Sequence, residues 1–170
     1  MSEATMRWMR QNDLKDIVLI EDECFPYPWD KEDCDICLRK KDNVGVVLSL
    51  DEKIIGYMIF QFTKKHYSIL SIAVQPSYQK NGYGKQMIEY LKTKIRSSNS
   101  GPKDHIKLIV SDENLNCHKF LKSLGFTATK VIKDYFGPCH DAYDFVLDMK
   151  PKPAKKPRKT RKVKDADRLE

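Results

Sequence analysis

The residues best suited to chemistry lie between positions 79 and 85. There Gln79-Lys80-Asn81-Gly82-Tyr83-Gly84-Lys85 sets two glycines two apart with a lysine directly after them. A β-type run over 69–75 leads in through Pro76, and a helix-period run carrying Met87, Ile88, Leu91 and Ile95 leads out. A strand, a glycine turn and a helix start aim unpaired backbone N–H groups and the positive end of a helix dipole at one point, which is what a phosphate needs. We read the turn as the seat of a pyrophosphate-bearing cofactor. Two other phosphate loops are excluded. Met87 stands where the G-x-G-x-x-G fingerprint needs its third glycine, and no G-x-x-x-x-G-K-[ST] run exists. On these residues alone, a plain strand-to-helix turn remains the alternative.

Cys34-x-x-Cys37 is a metal half-site without a second pair at zinc spacing, and an i, i+3 pair on a helix reads more simply as packing, so no metal is expected.

The turn does not stand alone. Tyr78-Gln79-Lys80-Asn81-Gly82-Tyr83-Gly84 resembles the acetyl-CoA pyrophosphate motif of the GNAT N-acetyltransferases. Three further blocks fit that family in order: Ser71-Ile-Ala-Val-Gln-Pro76 before the motif, Asn114 opening a later helix, and Leu124-Gly125-Phe126 closing it. The resemblance covers roughly residues 5 to 149. Within the family the chain most resembles the RimI-type protein N-terminal acetyltransferases, through Phe25-Pro-Tyr-Pro-Trp29 and Asp134-Tyr-Phe136 followed by Asp141-Ala-Tyr143.

The resemblance implies a mixed, mostly antiparallel α/β sheet of about seven strands with about four helices, splayed between the fourth and fifth strands. It implies acetyl-CoA as acetyl donor, with Gly82 to Lys85 holding the pyrophosphate and Gln79, Lys80 and Asn81 completing the turn. It further implies that pantetheine lies along Ile72, Ala73 and Val74, that the Val74 N–H polarises the thioester carbonyl as an oxyanion hole does, and that Asn114 bonds a pantetheine amide. The aromatic loop of Phe25, Tyr27 and Trp29 is implied to wall the acceptor groove. Rigid rings held by prolines suit a peptide backbone. Plugging the core is the other reading of those rings.

Acetyl transfer needs a neutral amine and a proton for the leaving thiol. The family pattern implies a Glu in the fifth strand and a Tyr before the closing Leu-Gly-Phe, but Ile109 and Leu121 occupy those positions and neither moves a proton. His118, one turn from both Asn114 and Leu121 on one helix face, and Tyr135 at the hairpin tip are the substitutes the sequence offers. Water relayed along backbone carbonyls is a second solution, and acetyl-CoA binding without turnover a third.

The elements that must position these groups follow from periodicity and turn chemistry. Residues 5–10 read as a strand. Asn12 or Asp13 caps a helix with Leu14, Ile17, Val18 and Glu21 on one stripe, apolar except for the last, and Phe25-Pro26 stops it. Asp30 caps a second helix to about Arg39. Runs over 44–50, 53–63 and 66–74 form an antiparallel meander joined by short polar turns. After the loop 97–102, Ile106 to Val110 returns parallel to the fourth strand through a crossover helix. Asn114 to Leu124 is a helix ended by Gly125, and 126–135 with 143–149 form a closing hairpin.

The chain has 170 residues, one domain's length plus a tail. Residues 151–170 hold nine Lys or Arg against three Asp or Glu, a surplus of six within a net charge of +7, so residues 1–150 stand near +1. The division is a catalytic domain over 1–150 and a basic disordered tail over 151–170, either solubilising or an electrostatic tether to the ribosome, nucleic acid or an acidic protein. Five cysteines, no apolar leader and no 20-residue apolar run point to a cytoplasmic protein away from membranes. The expected acceptor is the α-amino N-terminus of a protein such as a ribosomal protein. The alternatives are a small-molecule amine, or a non-catalytic acetyl-CoA-binding or nucleic-acid-associated module.

Overall fold

The structure is a computed structural model that describes residues 3–97 and 105–149. The tail expectation for 151–170 falls outside the described residues. Among the described residues seven strands form one sheet: β1 (Thr5–Trp8), β2 (Asn43–Leu50), β3 (Lys53–Phe62), β4 (His66–Val74), β5 (His105–Ser111), β6 (Thr127–Ile132) and β7 (Ala142–Asp148). Four α-helices accompany them: α1 (Leu14–Cys24), α2 (Lys31–Leu38), α3 (Tyr83–Ser97) and α4 (Leu115–Ser123). The strand order is β1-β2-β3-β4-β5-β7-β6. Of these neighbours only β4 and β5 run parallel, as the crossover through α3 requires.

Each face of the sheet carries its own core. Val46, Leu48, Met58, Ile69, Val74, Leu108, Val110 and Phe145 pack with Met87, Ile88 and Leu91 of α3 and Leu121 of α4. On the other face Val47, Tyr57, Ile59 and Ala73 pack with Leu14, Ile17 and Ile20 of α1 and with Cys34 and Cys37 of α2. Both thiols of the Cys-x-x-Cys pair are therefore packing groups. Burial pushes the Cys34 thiol up to about 12, with the Glu21 charge adding to it.

Several element ends differ from the sequence reading for local reasons. β1 stops at Trp8, not residue 10, because the Arg10 N–H turns to the Asp13 carboxylate (2.7 Å). That carboxylate also takes both guanidinium nitrogens of Arg7 (2.7 and 2.8 Å), so Asp13 ties strand to helix where a side-chain cap was expected. Asn114 lies just outside α4 as its N-cap. The closing hairpin is shorter than expected. Asp141 accepts from Lys133 and from the Asp134 N–H (3.0 Å), drawing the chain out of the ladder at Ile132.

Asp30 caps α2 as expected, its carboxylate accepting from the Asp33 N–H (2.8 Å) while Asp33 accepts from the Asp30 N–H (3.2 Å). Asp30→Ala removes that cap and should cost about 1 kcal/mol, lowering the melting temperature by about 2–4 °C in a thermal unfolding scan.

Candidate active site

The site begins with one extra residue in β4. β4 pairs with β3 along its length, but the register shifts between Phe60↔Ile69 and Ile59↔Ser71, leaving Leu70 as a bulge. Pairing with β5 covers only His66↔His105 to Ile69↔Leu108, so it ends at the bulge. Bulges bend and twist a strand, and beyond this one β4 and β5 diverge. The Gln75 N–H donates to the Ile55 carbonyl (2.8 Å), whereas the Val74 carbonyl accepts from Gln79 Nε2 (2.9 Å) and from the Cys24 thiol (3.4 Å). Backbone direction alternates along an antiparallel strand. Ala73 and Gln75 thus face β3, while Ile72 and Val74 turn their N–H groups into the gap.

The glycine turn closes one end of that gap. Lys80 and Gly82 adopt positive φ of 63° and 86°, and Asn81 Nδ2 pins the turn to the carbonyls of Tyr78 (3.2 Å) and Gln79 (3.1 Å). The first helix-closing bond of α3 runs from the Gln86 N–H to the Gly82 carbonyl (3.0 Å). The amides of Gly82, Tyr83, Gly84 and Lys85 therefore project from the helix end without intrahelical acceptors. A Cβ on Gly82 would meet no atom within 4 Å, so the space before these amides is open. A Cβ on Gly84 would stand 3.0 Å from the Phe120 ring, so that glycine is what seats α3 against α4.

On the opposite sheet face lies the loop of Phe25, Tyr27 and Trp29. Phe25 and Trp29 pack against the α1–α2 core, as the core reading expected for two of the three rings, and Tyr27 is 78% exposed. A buried carboxylate holds this loop to the sheet. Glu21, 2% exposed, takes hydrogen bonds from the Tyr57 hydroxyl and Ser71 Oγ (3.0 Å) on one oxygen and from the Trp29 N–H (3.1 Å) on the other. Burial, then the Glu21 charge, raises the Tyr57 phenol far above its usual range and keeps it a donor. Burial beside Glu23 and Glu21 pushes the Cys24 thiol up to about 11, so it too stays protonated at the Val74 carbonyl.

The remaining candidates that the sequence singled out are spread around the gap. Asn114 spends its Oδ1 on the Cys117 N–H (3.1 Å), which leaves its Nδ2 as the donor toward a ligand. His118 is 9% exposed, with Nε2 2.8 Å from the Ser111 carbonyl and its ring edge-on to Tyr143 at 5.3 Å. Tyr135 is 49% exposed and stacks edge-on with Phe136 at 4.8 Å in the β6–β7 loop. His118 thus lies in the α3–α4 core, while Tyr135 lies on a surface loop, and the two are not brought together.

Comparison with known proteins decides the family. The model of the acetyltransferase (GNAT) family matches residues 14–126, about two thirds of the chain. The chain belongs to the GNAT family. It is accordingly an acetyl-CoA-dependent N-acetyltransferase. No curated protein sequence matches it. Among solved structures, it is similar to the ribosomal-protein-S18-alanine N-acetyltransferase from Escherichia coli, with 21% identity, TM-score 0.76, and coverage of 90% of this chain and 98% of that one. It is also similar to Ard1 from Thermoplasma volcanium, with 18% identity, TM-score 0.77, and coverage of 85% and 97%. A third is the aminoglycoside 6'-N-acetyltransferase from Enterococcus faecium, with 14% identity, TM-score 0.71, and coverage of 88% and 99%.

The site of this GNAT protein fits the diphosphate of acetyl-CoA: free amides at a helix start, open space where Gly82 lacks a Cβ, and Lys85 just inside the helix. Sequence reasoning missed Glu21, although one signal was present. A carboxylate within an apolar helix stripe has to find partners. Replacing Glu21 by Ala leaves the Trp29 N–H without its acceptor and the Tyr57 and Ser71 hydroxyls with only each other (2.7 Å), and should cost about 2–4 kcal/mol of unfolding free energy in urea titration. Gly82→Val should weaken acetyl-CoA binding more than about tenfold, ~1.4 kcal/mol, by calorimetry. Because the new Cβ meets no protein atom, only the left-handed backbone cost of about 1–2 kcal/mol should register in stability.

Proposed function

We propose that this GNAT enzyme acetylates the α-amino N-terminus of a protein in the cytoplasm, as the RimI-type resemblance implies. The observation that carries this reading is the division of labour between the two sheet faces. The glycine turn, α3 and α4 lie with one core. The aromatic loop, clamped by Glu21, lies with the other. Donor and acceptor would approach from opposite faces and meet through the β4–β5 gap.

Bound acetyl-CoA would supply the activated acetyl thioester. Gly82, Tyr83, Gly84 and Lys85 would hold its diphosphate, with Gln79, Lys80 and Asn81 shaping the turn. Ile72, Ala73 and Val74 would pair with the pantetheine arm as an added strand, and Asn114 Nδ2 would donate to it. The N–H groups of Ile72 and Val74 would stabilise negative charge on the thioester oxygen. Phe25, Tyr27 and Trp29 would flank the incoming chain.

A magnitude favours an α-amine over a lysine. Freeing a proton at pH 7 costs about 1–1.4 kcal/mol for an α-amino group and about 4.6 for a lysine. With Ile109 and Leu121 unable to take that proton, the more acidic ammonium suits the site. Similarity to the S18-alanine N-acetyltransferase and to Ard1 supports the same choice. The basic segment 151–170 would serve as a tether to the ribosome or another polyanion.

A second reading is a small cationic amine. Residues 11–35 carry nine Asp or Glu against two Lys, so the helices beside the aromatic loop are acidic. The aminoglycoside enzyme has the same fold.

Incubation with labelled acetyl-CoA and a panel of N-terminal peptides, spermidine and an aminoglycoside, read by mass spectrometry, separates the two. We expect one acetyl group on a peptide α-amine and none on lysine side chains, and a preference for the small amines would overturn the peptide assignment.

A further inference from the structure

We propose that Asp144 is a catalytic residue of this enzyme: its carboxylate receives the ammonium group of the acceptor beside the β4–β5 gap and takes the first proton from it. This rests on the transferase reading above. It assigns the acceptor amine a group that neither Ile109 nor Leu121 provides.

Three observations place Asp144 there. The register of β5 with β7 pairs it directly with Ile109, the first residue of β5 beyond the last β4 pair, Ile69↔Leu108. Directly opposed residues share a face. Leu108, Val110, Phe145 and Leu147 all point into the α3–α4 core, so Ile109 and Asp144 point the other way, to the face of Ser71, Ala73 and the aromatic loop. Along the sheet, Ile72 lies three residues past Ile69 with one taken up by the bulge, and Ile109 lies one past Leu108. At a rise of ~3.3 Å per residue, Asp144 is then level with the Ile72 N–H to within about 3–4 Å along the strand direction, and across the sheet it stands one strand beyond β5.

The carboxylate is also under-used. Asp144 Oδ1 is buried with no hydrogen-bond partner among the described residues. Its Oδ2 is ion-paired with Lys107 Nζ at 3.5 Å. The Asp144 side chain is 15% exposed. An ionised carboxylate has about four acceptor sites, and leaving them empty in a half-buried place is costly. An ammonium group brings three donors.

The other charged groups facing Asp144 among the described residues are few. They are Lys107 on β5, His66 on β4 with His105 stacked on it at 5.3 Å, and Lys130, its register partner on β6. Burial, with Lys107 and His105 next, holds His66 below its usual value, so it adds no competing cation near neutral pH. Lys107 is thus the cation beside which an incoming ammonium would have to bind, with Oδ1 as the oxygen still unpartnered.

The proton and electron count closes. The acceptor ammonium gives one proton to Asp144, and the freed lone pair forms the new C–N bond. The thioester C–S bond breaks with its electron pair on sulfur, and a second proton from the same nitrogen neutralises that sulfur. Asp144 then releases its proton to solvent.

The test uses the full-length protein, acetyl-CoA, and whichever member of the amine panel the wild type acetylates fastest. Asp144→Asn keeps shape and removes charge. We expect kcat/KM for the acceptor to fall at least about 30-fold, with acetyl-CoA affinity unchanged by calorimetry. Ile109→Glu in the Asp144→Asn background returns a carboxylate to the same face one strand over, and should recover tenfold or more. Recovery by that double variant would show that the loss came from the charge and not from misfolding. A folded Asp144→Asn enzyme within threefold of wild type, or a double variant no better than the single, overturns this proposal and leaves the transferase reading intact. A wild type that binds acetyl-CoA yet acetylates no panel member overturns the transferase reading and the Asp144 assignment with it.

Discussion

The active site depends on hydrogen bonds that β4 does not make to β5. One surplus residue, Leu70, ends the parallel ladder and shifts the phase of everything after it. Before the bulge, Tyr67 and Ile69 face the α3–α4 core; after it, Val74 does, while Ser71 contacts Glu21 and Ala73 joins the α1–α2 core. Had the strand stayed regular, Ser71 would face hydrocarbon, because a one-residue slip moves every following side chain to the other side. The same slip opens backbone donors at Ile72 and Val74 that a continuous sheet would have consumed. Exposed strand edges are normally covered or paired, and this one would suit a ligand that brings amides of its own.

Glu21 then fixes what stands beside the opening. Burying a carboxylate among Ile20, Tyr57 and Ala73 is unfavourable unless several donors converge on it, and three do, from β3, β4 and the Phe25–Trp29 loop. One acid therefore connects the strand that bears the bulge with the Phe25–Trp29 loop. Prolines at 26 and 28 stiffen that loop between its two anchored ends. Tyr27 is the outward ring, because the rings on either side are already spent on packing.

The order of elements, the glycine turn and the caps at Asp30 and Asn114 were legible in the sequence because each is local. A glycine turn between a strand and a helix, and a capping aspartate or asparagine, leave marks within a few residues. What the chain did not reveal is pairwise and distant. Nothing near position 144 says that Asp144 lies across from Ile109, and nothing near position 70 says that Leu70 is surplus, since bulges are fixed by the partner strand. His118 shows the limit from the other direction. Its spacing put it on a face with Asn114 and Leu121, but that face is the one α4 buries, where Nε2 meets a carbonyl and the ring meets aromatics.

Those placements bear on how a sheet can run this chemistry without an acid or base where the family pattern implies them. The helix dipole and free amides at the glycine turn would act on a diphosphate, on the α3–α4 side. Proton chemistry belongs to the amine, which would arrive on the α1–α2 side. There the thiol of Cys24 and the phenol of Tyr57 are both held protonated by burial next to acidic residues. They can position neighbours but cannot accept a proton from an ammonium. Glu21 has all its donors and is sealed from solvent. The carboxylate across from Ile109, ion-paired on one oxygen and unpartnered on the other, keeps acceptor capacity. A function that one strand has lost is thus supplied from its neighbour, because in a β-sheet the positions that share a place on a face come from different strands.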